Sequence, residues 1–137
     1  MKAIACYGAL RQDTQQVALA FSQGQPRSAE TLVFLPHLLN LARAEHKKVV
    51  VVIWDNASWH KSKMVRTWIA AHNRCAKRTG DVRLLTCLLP KQSPWLNPIE
   101  PRWVHAKRHV CQPHGILSSD ELKRRIAAHF HTVPYAA

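Results

Sequence analysis

Acidic side chains are scarce. Eight Asp and Glu stand against twenty Lys and Arg in 137 residues, a formal net charge of +12. That shortage restricts the candidates for carboxylate chemistry to Asp13, Glu30, Glu45, Asp55, Asp81, Glu100, Asp120 and Glu121. Long apolar runs are lacking too. The longest, residues 49–54, has the length of a strand and falls far short of the roughly 20 residues that span a bilayer. The first residues carry a lysine but no extended apolar region and no cleavage signature, which argues against a signal peptide and makes the cytoplasm the expected location. Cys6, Cys75, Cys87 and Cys111 form no Cys-x-x-Cys pair, so reduced and mostly buried thiols are expected. There is no internal repeat and no low-complexity segment.

What is abundant is positive charge on a chain that is 47% hydrophobic. The apolar content suffices for a core, and the length suits one domain over residues 1–137. The charge attracts polyanions, and nucleic acid is the commonest of these. Charge alone also fits a ribosome-associated or non-specifically basic protein, the less favoured reading.

Periodicity divides the chain into alternating elements. Residues 3–10 and 16–21 read as a hairpin across the polar turn Arg11-Gln12-Asp13-Thr14. Ser28 is a candidate cap for a helix over residues 28–43, with Leu32, Leu35, Leu38, Leu39 and Ala42 on one side and Pro36 expected to kink or split it. Residues 49–54 are β-branched without alternation, as in strands buried on both faces. A helix over 61–77 follows, with Met64, Val65, Trp68, Ile69 and Ala71 inward and Lys61, Lys63, Arg66, Arg74 and Lys77 outward, stopped by Gly80. Residues 82–89 form another strand, then come a Pro-rich loop over 90–98 and a helix to about 110. Ser118-Ser119-Asp120-Glu121 opens a last helix with a capping box. The order implies an α/β fold whose sheet is mixed: antiparallel in the hairpin, parallel beyond it.

Two segments carry chemistry. In Ile53-Trp54-Asp55-Asn56-Ala57-Ser58-Trp59-His60, Asp55 closes a strand at its carboxyl end, where α/β sheets bind ligands; the same pattern also fits a plain helix cap. The second runs Leu88-Leu89-Pro90-Lys91-Gln92-Ser93-Pro94-Trp95-Leu96-Asn97-Pro98-Ile99-Glu100-Pro101-Arg102-Trp103-Val104-His105-Ala106-Lys107. Asn97 can cap a helix with Pro98 first and Glu100 third, although Pro101 would then remove its first internal bond, and the helix can instead begin at Pro101. Val104 and Lys107 share the face of Glu100.

Together these motifs resemble the second half of the catalytic domain of mariner-like DDE-superfamily transposases from bacterial insertion sequences. The likeness covers essentially the whole chain, since the opening hairpin with Tyr7-Gly8-Ala9-Leu10 resembles that family's second and third strands. It implies an RNase H-like mixed sheet flanked by helices, truncated at the N-terminus so that the first strand and first catalytic Asp are absent. It implies that Asp55 and Glu100 are the second and third acids, holding Mg²⁺ or Mn²⁺ for cleavage and joining of DNA at insertion-sequence ends and target DNA. Asn56, His60, Asn97, Trp103 and Lys107 belong to the matched motifs as supporting or DNA-contacting residues, each with a structural role as the alternative. Trp95 and Trp103 fit stacking on bases but fit packing against the sheet better. The stretch from Asp55 to Glu100 is longer than the family's usual spacing, with the excess expected between residues 70 and 81. Asp13, in a turn, receives no catalytic role. A fragment of this kind is expected to be inactive alone, and to form homo-oligomers or depend on an upstream transposase fragment. The alternative is a catalytically inactive basic domain that binds DNA or a transposase. His105, His109, Cys111 and His114 lie close together as zinc-ligand types, but their spacing fits no standard arrangement, and a basic helix whose histidines contact DNA or solvent is the better reading.

Overall fold

The computed structural model describes residues 4–55, 57–89, 96–110 and 118–134. These form two compact units, one from residues 1–26 and 98–137, the other from Arg27–Asn97. The first holds strands β1 (Ile4–Leu10) and β2 (Val17–Gln23) and helices α4 (Glu100–Val110) and α5 (Ser119–His129). The second holds α1 (Ser28–Ala44), β3 (Val49–Trp54), α2 (Ser58–Lys61), α3 (Lys63–Thr79) and β4 (Arg83–Leu88).

In the second unit β3 and β4 run parallel with Val49 opposite Arg83 and Trp54 opposite Leu88. The crossover between them includes α3, as parallel pairing requires. Leu35, Leu39 and Ala42 from α1, Val65 from α3, and Trp54, Val82 and Leu84 form one buried cluster, with Val50 and Val52 packed against it. Each fully buried Leu contributes about 1.5–3 kcal/mol. This cluster covers only one face of the pair. Val49, Val51 and Ile53 on the other face are exposed, Val51 by 60%, and Leu85 beside Val51 is exposed as well. The expectation of a strand buried on both faces is therefore corrected. A uniform β-branched run has no alternation, so it cannot tell one covered face from two.

The edges differ as sharply as the faces. On the outer edge of β4, Asn73 Nδ2 donates to the Leu84 carbonyl at 2.8 Å while Leu84 N–H donates to Asn73 Oδ1 at 2.9 Å. His72 Nε2 lies 2.7 Å from the Val82 carbonyl. Side chains of α3 thus satisfy the polar backbone that an edge strand exposes. Among the described residues, β3 pairs with β4 alone.

Local chemistry explains the helix ends. Ser62 caps α3 by accepting from Val65 N–H, and Gly80 ends it at φ +76°. Ser28 is the first residue of α1 rather than its cap; its hydroxyl donates to Ser62 Oγ at 2.8 Å, tying the starts of two helices. The helix runs unsplit through Pro36. Met64 and Ala71 are exposed, so the buried face of α3 is narrower than its apolar pattern suggests. Most of residues 70–81 is helical, since α3 continues to Thr79, rather than a loop between helix and strand. Arg43 forks onto both Asp81 oxygens at 2.7 Å, joining the end of α1 to the approach to β4 and holding the Asp81 carboxyl far below its ordinary range.

In the first unit β1 and β2 form the expected hairpin, with Tyr7 opposite Ala20. Asp13 sits in its turn, held by both Arg11 nitrogens and by Thr14 N–H. Gly8 is where α4 meets this hairpin: a Cβ there would lie 2.4 Å from the Trp103 ring and 3.3 Å from Ile99 Cδ1. Trp103 also meets Phe130 edge-on, with centroids 5.5 Å apart. Ser118 caps α5 by accepting from Glu121 N–H, as the capping pattern predicts, while the Glu121 carboxylate pairs with Arg124 and Arg125. The two strand pairs are separate two-stranded sheets, so the single mixed sheet is not formed by the described residues. No described strand hydrogen-bonds to both pairs, and this is the physical reason.

Cys6 is mostly enclosed, and burial pushes its thiol up to about 12, making it inert. Cys75 and Cys87 are exposed free thiols, contrary to the expectation of burial, and Cys111 lies outside the described residues.

Candidate active site

The parallel pair fixes where the two motifs begin. Trp54 pairs with Leu88, and Leu89 N–H donates to the Trp54 carbonyl at 2.9 Å. Asp55 and the start of the Leu88-Leu89 motif therefore leave the sheet side by side at its carboxyl end. Ligands of α/β sheets gather at such an end, because strand termini hold side chains rigidly while the loops beyond stay open.

One oxygen of Asp55 is committed. Oδ1 accepts from Ala57 N–H at 3.0 Å and lies 3.0 Å from His60 Nδ1. The His60 ring stacks on Trp54, 4.7 Å between centroids and within 6° of parallel, so the last strand residue sets the imidazole plane. Burial pulls the His60 pKa below its ordinary value, against the opposing pull of Asp55. A neutral His60 bonds a carboxylate only with its proton on Nδ1, which leaves Nε2 as an acceptor. Oδ2 of Asp55 makes no hydrogen bond to a described residue, and the side chain is half exposed. The arrangement orients one carboxylate oxygen and presents the other.

Glu100 opens α4. The first helical bond runs from Trp103 N–H to the Ile99 carbonyl at 3.0 Å, so the helix starts after Ile99 and not after Asn97. Pro101 then occupies the second position, where a missing N–H breaks no internal bond. The expectation of an Asn97 cap is corrected in favour of the later start. Glu100 is partly exposed and makes no hydrogen bond or ion pair with a described residue. Asp55 and Glu100 belong to different units.

The sequence matches the family described as DDE superfamily endonuclease over residues 2–123. The chain belongs to that family. No curated protein and no solved structure matches it. A DDE endonuclease domain implies a DNA substrate, and the side chains of Asp55 and Glu100 are oxygen donors of the kind that divalent cations prefer. Among the described residues no group of three His, Cys, Asp or Glu stands in metal-holding geometry, and no helix is long and apolar enough to cross a membrane.

The supporting residues divide by role. His60 is the direct partner of Asp55. Trp103 packs on Gly8, the structural alternative to base stacking. Lys107 is exposed on the last turn of α4, and Asn97 is partly exposed ahead of it. Asn56, Trp95, Cys111 and His114 lie outside the described residues. Sequence reasoning missed His129, which meets both His105 and His109 across α4 and α5. Twenty residues separate His109 from His129, so no local spacing announces the contact.

Proposed function

We propose that this DDE endonuclease chain contributes the second Asp and the Glu of a divalent-metal site that cuts and joins DNA, with Asp55 and Glu100 in those roles. The observation that carries the reading is the state of Asp55: at the end of a parallel strand, one oxygen fixed by Ala57 N–H and His60, the other unbonded among the described residues. Mg²⁺ or Mn²⁺ bound by Asp55 and Glu100 would supply a polarised nucleophile and stabilise the leaving oxygen. The work of this chain is to orient Asp55 through His60 and to hold the DNA backbone with its Lys and Arg excess. The finer assignment, to mariner-like transposases acting on insertion-sequence ends within an RNase H-like sheet, rests on the long motif from Leu88 to Lys107.

The first acid of the site comes from a further strand. Asp13 is engaged by Arg11 in a hairpin turn, which suits a structural role. Among the described residues the far edge of β3 has no partner strand, which suits a further strand there, whereas Asn73 and His72 close the edge of β4. The chain alone is therefore expected to bind DNA, with affinity falling steeply with salt, but not to nick it.

Two measurements test this. Paramagnetic Mn²⁺ should broaden backbone resonances around both Asp55 and Glu100 in one titration, and Asp55→Ala should abolish the broadening at both. Broadening at only one of them sinks the shared site. Robust Mg²⁺- or Mn²⁺-dependent nicking by the chain alone, abolished by Asp55→Ala or Glu100→Ala, would overturn the need for a further strand.

A further inference from the structure

A second group of chemically active side chains stands apart from Asp55, in the unit formed by the hairpin, α4 and α5. His105 and His109 share a face of α4 at helical spacing. His129, at the end of α5, lies 5.3 Å from the His105 ring and 5.0 Å from the His109 ring, centroid to centroid. His109 Nδ1 and His129 Nδ1 are 2.9 Å apart. A concavity of about 510 Å³ is lined by these three rings together with Arg125 and His131. A second, of about 470 Å³, shares His105, His129 and His131 and adds Arg102 and Gln15. Histidines and Arg125 make up most of the first lining, and the second mixes Arg102 and three histidines with amide and apolar side chains. Neither lining contains a carboxylate among the described residues. Glu121, behind Arg125 on α5, is already shared between Arg124 and Arg125.

The contact between His109 and His129 restricts the protonation states. One Nδ1 must donate and the other accept, so the pair holds together only while at least one ring is neutral. When both are protonated, two N–H donors point at one another. An oxygen acceptor seated between them then relieves the repulsion and accepts from both. Burial and the charges of His109, His105 and His131 pull His129 below its ordinary value, so a free groove keeps that ring neutral near pH 7. An anion reverses the balance. A metal ion is the poorer fit, because no three ligands are in metal-holding geometry among the described residues and Arg125 lines the same wall.

We propose that His105, His109 and His129 form a proton-gated phosphate subsite that grips a nucleic-acid backbone phosphate. It rests on DNA being the substrate and adds to that reading a second, pH-dependent point of contact. Phosphate entry is coupled to proton uptake by the imidazoles, with Arg102 as a fixed positive charge in the second lining and Arg125, already paired with Glu121, on the wall of the first. His131 lies at the border of both concavities, and its charge adds to the pull on the anion.

The test begins with inorganic phosphate added to the full chain while imidazole Cε1–H resonances are followed from pH 5.5 to 8. Phosphate should raise the His129 titration midpoint by about one unit, and His129→Gln should weaken phosphate binding at pH 6 about tenfold. Duplex DNA should then bind about tenfold tighter at pH 6 than at pH 8 at constant salt, with most of that gain lost in His109→Gln and His129→Gln. Imidazole resonances unmoved by phosphate overturn the subsite. So does a pH dependence of DNA affinity unchanged in both variants. Micromolar Zn²⁺ that perturbs all three rings when phosphate does not would replace the proposal with a metal site. Failure to bind DNA at any pH, with phosphate binding intact, would overturn the DNA reading and this inference with it, whereas DNA binding without imidazole involvement would overturn the subsite alone.

Discussion

The two units are stabilised in different ways. The one spanning Arg27–Asn97 has an aliphatic cluster in which Leu35, Leu39, Val65 and Leu84 are essentially inaccessible to solvent. The one made of the hairpin with α4 and α5 also buries Val17, Leu19 and Val110, and adds to them a tryptophan laid against a glycine and a set of facing histidines. Aliphatic burial is insensitive to pH and tolerates small shifts. Ring-on-backbone packing depends on a single missing Cβ, and imidazole contacts depend on protonation. The unit holding Glu100 is thereby the one in which imidazole contacts between helices add a pH-dependent element.

The largest effect should come from the aliphatic cluster. Leu84→Ala leaves a cavity beneath β3 and β4 and should destabilise by about 2–5 kcal/mol in denaturant titration. A loss below about 1 kcal/mol would mean the cluster is not the main support of that unit. Next comes Gly8→Ala. The added Cβ would sit 2.4 Å from the Trp103 ring, so ring or strand must move, at a cost of about 1–3 kcal/mol. Gly8→Ala with Trp103→Phe should recover part of the loss. If the double variant is no better than the single, the two residues are not in contact and the first unit is held otherwise.

Legibility in the sequence follows the same division. The hairpin, the Asp55 strand, the Gly80 stop and the Ser118 cap could be read locally, because each is decided by neighbours within a few residues. The one-sided burial of β3 could not, since Val49 to Ile53 look alike on both faces. Nor could the Asn73 clamp on Leu84, eleven residues away and made by a helix side chain imitating a strand. At the candidate site the placing of Asp55 just after a strand and of Glu100 in the first turn of a helix was legible. The hydrogen bond from His60 was visible only as a recurring motif residue, and the role of His129 was not visible at all. Pro101 gave the correct warning about Asn97: a proline that deletes a needed bond in one helix register marks the other register as the real one.

A smaller effect sharpens the contrast between the faces of β3. Val51 is exposed, so Val51→Lys should alter stability by no more than about 0.5 kcal/mol, while self-association measured by sedimentation should fall as charge enters the apolar patch. A several-degree drop in thermal midpoint would show that the face is covered within one chain.

The smallest effect concerns the histidines and separates the units by pH. His129 is held below its ordinary value near 6.5, by burial first and then by the neighbouring His109, His105 and His131. As pH falls, the unfolded chain therefore takes up this proton before the folded one. Its contribution to stability is fully present above about 6.5 and is lost as pH drops from there through the lower folded value. In phosphate-free buffer, hydrogen exchange at the α4–α5 contact should accelerate between pH 7 and 5.5 more than exchange in α1 or β4, after correction for intrinsic rates. In the second unit the Arg43–Asp81 pair stays ionised throughout that range, but burial also holds His37 on α1 and His60 beside Asp55 below their ordinary values, so the readout is the excess at α4–α5 that responds to His129. In His129→Gln the differential should vanish, since the amide keeps a polar group at the contact without titrating. If added phosphate restores slow exchange in the original chain but not in the variant, the protonated pair is stabilised by an anion rather than merely broken by acid. Equal acceleration in both units, or a differential that survives His129→Gln, would show that the conditional character of the α4–α5 surface does not come from its imidazoles.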